Sequence, residues 1–76
     1  MNGTGDARLG TRLRDLRLEQ GVALKVIAKR AEISLAYLSE VERGRKLPAI
    51  DVLARIADAL NTSVVELLRG IRPYDS

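Results

Sequence analysis

Arginine carries most of the chemistry available to this chain. Ten of its thirteen cationic residues are Arg, set against ten Asp and Glu, and it contains neither His nor Cys. Without imidazole or thiol, no Cys/His zinc site, disulfide or thiolate nucleophile can be assembled. General-base catalysis would then fall to a carboxylate in a cleft. Glu40 and Glu42 are two residues apart, however, and on a helix they point to different sides. Ser34, Ser39 and Ser63 are accounted for as helix caps or polar surface. These residues predict no enzyme, no metal and no cofactor. What stands out instead is the predominance of Arg and a basic loop, Arg45-Lys46-Leu47-Pro48, directly after Gly44. Guanidinium forks suit oxyanions.

The charge is unevenly placed. Residues 8–46 hold ten basic and five acidic side chains, while residues 47–76 hold three basic and four acidic. A cationic first two thirds points to a polyanionic partner, most simply nucleic acid. The same asymmetry would also merely keep a small domain soluble. Seventy-six residues make one small domain, which buries only about 60% of its unfolded surface. At 46% apolar the chain is too apolar for a disordered tail. The longest apolar run is four residues, Leu35 to Leu38, so no segment is expected to cross a membrane. No apolar region near Met1 suggests a secretory signal.

Apolar spacing places the elements. Leu9, Leu13 and Leu16 mark a helix over about residues 8–20, stopped by Gly21. Leu24, Ile27, Ala28 and Ala31 mark a second over 24–31. Ser34 caps a third over 35–43, closed by Gly44. Ile50, Leu53, Ala54, Ala57 and Leu60 mark a fourth, ended by Asn61. Ser63 and Glu66 form a capping box for a fifth, with Val64, Leu67 and Leu68 as its apolar positions and Gly70 and Pro73 as its stop. No stretch alternates with the period of a strand. The fold class is all-α, with five short helices. Residues 1–7 are expected to be a flexible lead-in, 8–70 the folded domain and 71–76 a tail associated with dimerisation.

The second and third helices are joined only by Glu32-Ile33-Ser34, which forces a sharp crossing rather than an antiparallel hairpin. Ala28 is small where the two must touch, and Ile27, Ala31, Ile33, Leu38 and Val41 anchor both sides. This is the pattern of a helix-turn-helix, whose second helix enters the major groove of DNA. The wider pattern adds Leu13, Leu16-Arg17, Gly21, Ser34 through Lys46, and Pro48. It continues through Leu53, Ile56-Ala57, Ala59-Leu60, Ser63 and Glu66-Leu67-Leu68. Over residues 9–68 the chain resembles the Xre-type family of bacterial and phage helix-turn-helix regulators, the lambda-repressor-like fold.

The resemblance implies roles residue by residue. Arg17 and Glu42 take the places of a partly buried family ion pair that fixes the third helix against the first; on their own they read as solvent-facing charges. Arg43, Arg45 and Lys46 match phosphate-contacting loop positions. Tyr37 either donates its hydroxyl to a phosphate or packs partly into the core. Leu35, Ala36, Ser39 and Glu40 match positions that face base edges. Leu35 and Ala36 can only pack on thymine methyls, Glu40 can accept from a cytosine amino group, and no Arg, Asn or Gln stands among them to read a purine. Leu35 reads equally well as core. Three departures are expected to matter. Glu32 replaces a frequent Gly at the turn, Ala23 and Ala49 replace helix caps, and Leu24 replaces a Gln that touches phosphate in some relatives.

The implied function is a cytoplasmic, bacterial or phage-encoded, nucleoid-associated transcriptional regulator. It would bind a palindromic duplex operator as a homodimer, most simply as a repressor. Val65, Leu68, Ile71 and Tyr74 are the expected dimer surface, because the last helix carries more apolar surface than one side can bury. Alternatively, Ile71 and Tyr74 fold back over the core. The rival function is a helical protein–protein module, antitoxin-like or adaptor, on the same fold.

Overall fold

In a computed structural model, which describes residues 4–71, the chain forms five helices: α1 (Thr4–Glu19), α2 (Leu24–Ala31), α3 (Leu35–Glu42), α4 (Ile50–Ala59) and α5 (Val64–Leu68). The described residues contain no strand. No helix among them is long and apolar enough to cross a membrane. The spacing that predicts the helices also names the core. Leu9, Leu13, Ile27, Leu38, Val41, Leu53, Ile56, Leu60 and Leu67 are all removed from solvent, and no charged side chain joins them among the described residues. α2 packs on α4 and α3, α1 packs on α3 and α5, and α5 closes the bundle against α4.

Four of the five helices end in the same way. In each, one residue takes the left-handed conformation and its N–H bonds three residues back, while the next N–H bonds five back. The pairs are Gly21 to Leu18 with Val22 to Arg17, and Glu32 to Lys29 with Ile33 to Ala28. Gly44 to Val41 with Arg45 to Glu40, and Asn61 to Asp58 with Thr62 to Ala57, repeat it. This Schellman geometry satisfies the last carbonyls of each helix and normally asks for Gly. Gly21 and Gly44 supply it at φ of 68° and 77°. Glu32 does not, yet it is held at φ 60° and ψ 43°, as its place in the turn implies. That conformation costs a glutamate about 1 kcal/mol.

Arginine satisfies further carbonyls at helix ends. Arg12 donates through Nη1 to the carbonyls of Glu66, Leu67 and Arg69, at 3.1, 3.2 and 2.8 Å, and so caps α5 from α1. Arg55 Nε donates to Ala31 at the end of α2, 2.9 Å away. Gln20 and Arg30 donate to the carbonyls of Leu60 and Ala59 at the end of α4. Cations are favoured at these negative helix ends. Part of the cationic charge therefore holds the bundle together and is not offered to a partner.

The structure corrects three details. α1 begins at Thr4 rather than near residue 8, because its first turn has a tertiary partner: a Cβ on Gly44 would lie only 2.9 Å from Ala7 Cα. The capping box is half made. Ser63 Oγ accepts from Glu66 N at 3.1 Å, but the Glu66 carboxylate pairs with Arg69 instead of returning to the cap. Ile71 is 6% exposed and belongs to the core, so the folded unit runs past residue 70.

Ser34 caps α3 by accepting from Tyr37 N, whereas Ala23 and Ala49 open α2 and α4 with no side-chain bond. In urea unfolding, Glu32→Gly is expected to add about 1 kcal/mol by relieving the left-handed strain. Ala23→Ser should add a comparable amount, about 1 kcal/mol, by capping α2. Asn61→Gly is the control and should change little, since Asn tolerates this conformation.

Candidate nucleic-acid interface

The interface is built on the joint between α1 and α3. Arg17 Nε donates to Glu42 Oε2 at 2.8 Å and Nη2 donates to Oε1 at 3.1 Å, a bidentate fork. The remaining guanidinium nitrogen, Nη1, donates to the Val22 carbonyl at 3.0 Å and ties the pair to the α1–α2 turn. The side chains are only 13% and 9% exposed. Donating to the Glu42 carboxylate raises the pKa of Arg17, against the opposing effect of burial, so the cation persists throughout the working range. These two residues meet as the family resemblance implies and not as solvent-facing charges.

Gly10 makes that joint possible. A Cβ there would fall 2.5 Å from the Glu42 carbonyl oxygen and 2.6 Å from that of Val41. α1 therefore lies directly on the C-terminal turn of α3. A glycine inside a helix costs about 1 kcal/mol. That misplaced Gly within the Leu9–Leu16 pattern is a legible sign of close backbone approach, and a reading of apolar spacing alone misses it. Arg12, the cap of α5, had no sequence signal, because its three carbonyl partners lie more than fifty residues away.

With Leu38 and Val41 buried, the opposite side of α3 faces outward. Leu35 is 49% exposed, which removes the core reading for it, and Ala36 is exposed beside it. Ser39 and Glu40 are half-buried on the same flank. Tyr37 is half-buried against the core, with no hydrogen bond from its hydroxyl among the described residues. Arg43, Arg45 and Lys46 lie at the end of α3 and in the loop that follows, with Arg45 and Lys46 exposed and the Arg43 side chain 59% exposed. Glu40 lies among them, with Oε2 at 3.7 Å from Arg43 Nη1 and 4.0 Å from Arg45 Nη1. Such exposed, long contacts contribute under about 1 kcal/mol, so both guanidinium groups can be transferred to another oxyanion. A weakly hydrogen-bonding helix flank thus adjoins a concentrated cationic rim. Leu24, in place of a polar residue, packs against the core.

The expected dimer surface is only partly present. Val65 is 72% exposed and Leu68 half-buried, but Ile71 folds back into the core, the alternative the sequence left open. Tyr74 lies outside the described residues. Among the described residues no cluster of Asp and Glu could hold a metal.

An outward-facing second helix after a tight turn, braced by a partly buried ion pair and edged with cations, defines a helix-turn-helix domain. The family model described as "Helix-turn-helix domain" matches residues 8–69, and the chain belongs to that family. It is similar to the HTH-type transcriptional regulator DdrOP3 of Deinococcus deserti, with 45% identity over 88% of this chain and 52% of that protein. It is also similar to the transcriptional regulator ClgR of Mycobacterium tuberculosis, with 46% identity over 84% of this chain and 59% of that one. The chain thus spans between half and three fifths of the length of these curated relatives. Among solved structures, the clp gene regulator ClgR from Corynebacterium glutamicum is similar at a TM-score of 0.83 and 38% identity, over 90% of this chain and 87% of that one. The restriction-modification controller protein C.AhdI from Aeromonas hydrophila is similar at 0.78 and 30%, over 80% and 92%. The family is one of DNA-binding regulators rather than enzymes.

Removing one member of the ion pair should be costly. Arg17→Ala is expected to destabilise the domain by about 3 kcal/mol, because Glu42 is left partly buried without a partner. Replacing both residues with apolar side chains of similar volume should recover much of that loss in the same unfolding experiment. An unchanged melting curve for Arg17→Ala would show the pair to be inconsequential.

Proposed function

We propose that this chain is the DNA-binding unit of a transcriptional regulator, which lays α3 in the major groove and grips the flanking backbone with Arg43, Arg45 and Lys46. The observation that carries this reading is the outward face of α3, with Leu35, Ala36, Ser39 and Glu40 held on a braced helix beside that cationic rim. Major-groove entry by the second helix of this motif is the general docking geometry. The named activities of its relatives as transcriptional regulators agree with it. Tyr37 can add a hydroxyl contact to a phosphate from the rim side of α3. The base-facing set is poor in donors, so direct readout rests on thymine methyls and on Glu40, with DNA shape supplying further discrimination.

The working unit is a homodimer on a two-fold operator, acting as a repressor in the cytoplasm of a bacterium, whether bacterial or phage-encoded. One domain covers too few base pairs to specify a site, and two copies read half-sites about one helical turn apart. Val65 and Leu68, three residues apart on one side of α5, supply the apolar contact. Ile71 is excluded from it by burial.

Titrating salt against binding to a random duplex separates this function from a protein–protein module, which would bind little at any salt. Arg43→Gln, Arg45→Gln and Lys46→Gln should each weaken binding to all sequences alike and reduce the salt slope by about one unit. Glu40→Gln should instead change the preferred site, since Gln addresses adenine and Glu does not. If it alters neither preference nor affinity, α3 does not lie in the groove.

For the dimer, sedimentation with and without a selected two-fold site is the direct measurement. Val65→Glu is expected to leave the fold intact, abolish cooperative binding to the full site and spare binding to a half-site. Cooperative binding that survives this change would remove α5 from the interface.

A further inference from the structure

We infer that Arg14, on α1, is a phosphate anchor that extends the DNA contact beyond α3 and its loop; this rests on the DNA reading above. Gly10, Arg14 and Arg17 follow each other at intervals of four and three residues and so form one stripe along α1. The structure shows where that stripe faces. Gly10 touches the carbonyls of Val41 and Glu42, and Arg17 is bonded to the Glu42 carboxylate. Arg14, between them, opens with Arg17, Ser39, Glu42 and Arg43 onto a concavity of about 250 Å³ on the seam between α1 and α3. At roughly 30 Å³ per water, this has room for a phosphate and its nearest waters.

The charges in this concavity are unequally committed. Glu42 gives both carboxylate oxygens to Arg17, so those two cancel at its floor. Arg43 is held only by a long exposed contact to Glu40. Arg14 has no hydrogen bond or ion pair among the described residues, and neither does the Ser39 hydroxyl. That contrasts with Arg12, Arg17, Arg30, Arg55 and Arg69, each of which donates to a carbonyl or a carboxylate. One unpaired guanidinium, one weakly held guanidinium and a hydroxyl thus line this concavity beside the proposed base-reading flank, where Ser39 itself lies. An oxyanion with the charge and spacing of a backbone phosphate meets that chemistry, and the Arg17–Glu42 floor holds the seat rigid.

The test compares three variants against wild type for binding to a random duplex across a potassium chloride titration, with melting recorded for each. Arg14→Gln should melt like wild type, bind all sequences roughly three- to tenfold more weakly and lower the salt slope by about one unit. Arg14→Lys should keep the slope, since the charge remains, and lose part of the affinity with the guanidinium fork. Arg8→Gln removes the same charge from the same helix, but beside Gly70 at the end of α5; it should leave slope and affinity near wild type. If Arg14→Gln binds with unchanged slope, or if Arg8→Gln loses as much, the anchor is overturned while the DNA reading stands. A wild-type chain with no salt-dependent binding overturns both.

Discussion

The bidentate pair between Arg17 and Glu42 is the constraint on which the rest of this surface depends. α3 has eight residues, too few to be stable as an isolated helix. Its buried side chains are Leu38 and Val41, with Tyr37 partly packed beside them, a short stripe that by itself leaves the helix some freedom to rotate. The pair removes that freedom. It joins the last turn of α3 to α1 by two charge-assisted hydrogen bonds and joins both to the α1–α2 turn through the Val22 carbonyl. Partial burial makes the pair costly to desolvate but also strengthens it, and the third hydrogen bond leaves no guanidinium nitrogen idle. Orientation of the exposed flank follows from that geometry rather than from any property of the flank itself.

Local and tertiary requirements meet at two glycines. Gly10 gives up helix propensity so that α1 can rest on the carbonyl end of α3. Gly44 serves twice: its positive φ closes α3, and its missing side chain admits the first turn of α1 at Ala7. Both contacts tighten the same joint as the ion pair. Glu32 departs from this pattern. The turn between α2 and α3 is made with the same hydrogen bonds as its neighbours, yet with a residue that resists the conformation. The packing of Ile33 against the core immediately after it offsets the strain.

Arginine has two occupations in this molecule, and net charge alone does not separate them. Arg12, Arg30 and Arg55 donate to carbonyls at the C-terminal ends of other helices, groups that no N-capping side chain can satisfy. Their charge is engaged by helix dipoles. Arg14, Arg43, Arg45 and Lys46 lie around the outer end of α3 with weak or no internal partners. Within residues 8–46, Arg12, Arg17 and Arg30 are engaged by the fold, whereas Arg14, Arg43, Arg45 and Lys46 form a concentrated exposed group. Concentration in one place matters more for steering than the total does.

The helices, their order and nearly all of the core are legible in the sequence alone, because apolar spacing at Leu9, Leu13, Ile27, Leu53, Ile56 and Leu67 is a local property that survives folding unchanged. The turn at Glu32 and the stop at Gly44 are legible too, from the gap between apolar patterns and from a glycine placed just after the last of them. The pairing of Arg17 with Glu42 is not in the spacing; only the family resemblance suggests it, since two charges twenty-five residues apart carry no mutual signal. Position in three dimensions decided the remainder. Leu35 is exposed although it is as apolar as Leu38, because the two differ in angle around α3 and only one turns towards the core. Ile71 is buried although it follows the last helix and a glycine, because the chain after α5 turns back onto the core cluster. Whether an arginine caps a helix or faces solvent depends on which carbonyls the fold brings within reach, and that information resides in the packing rather than in the residue.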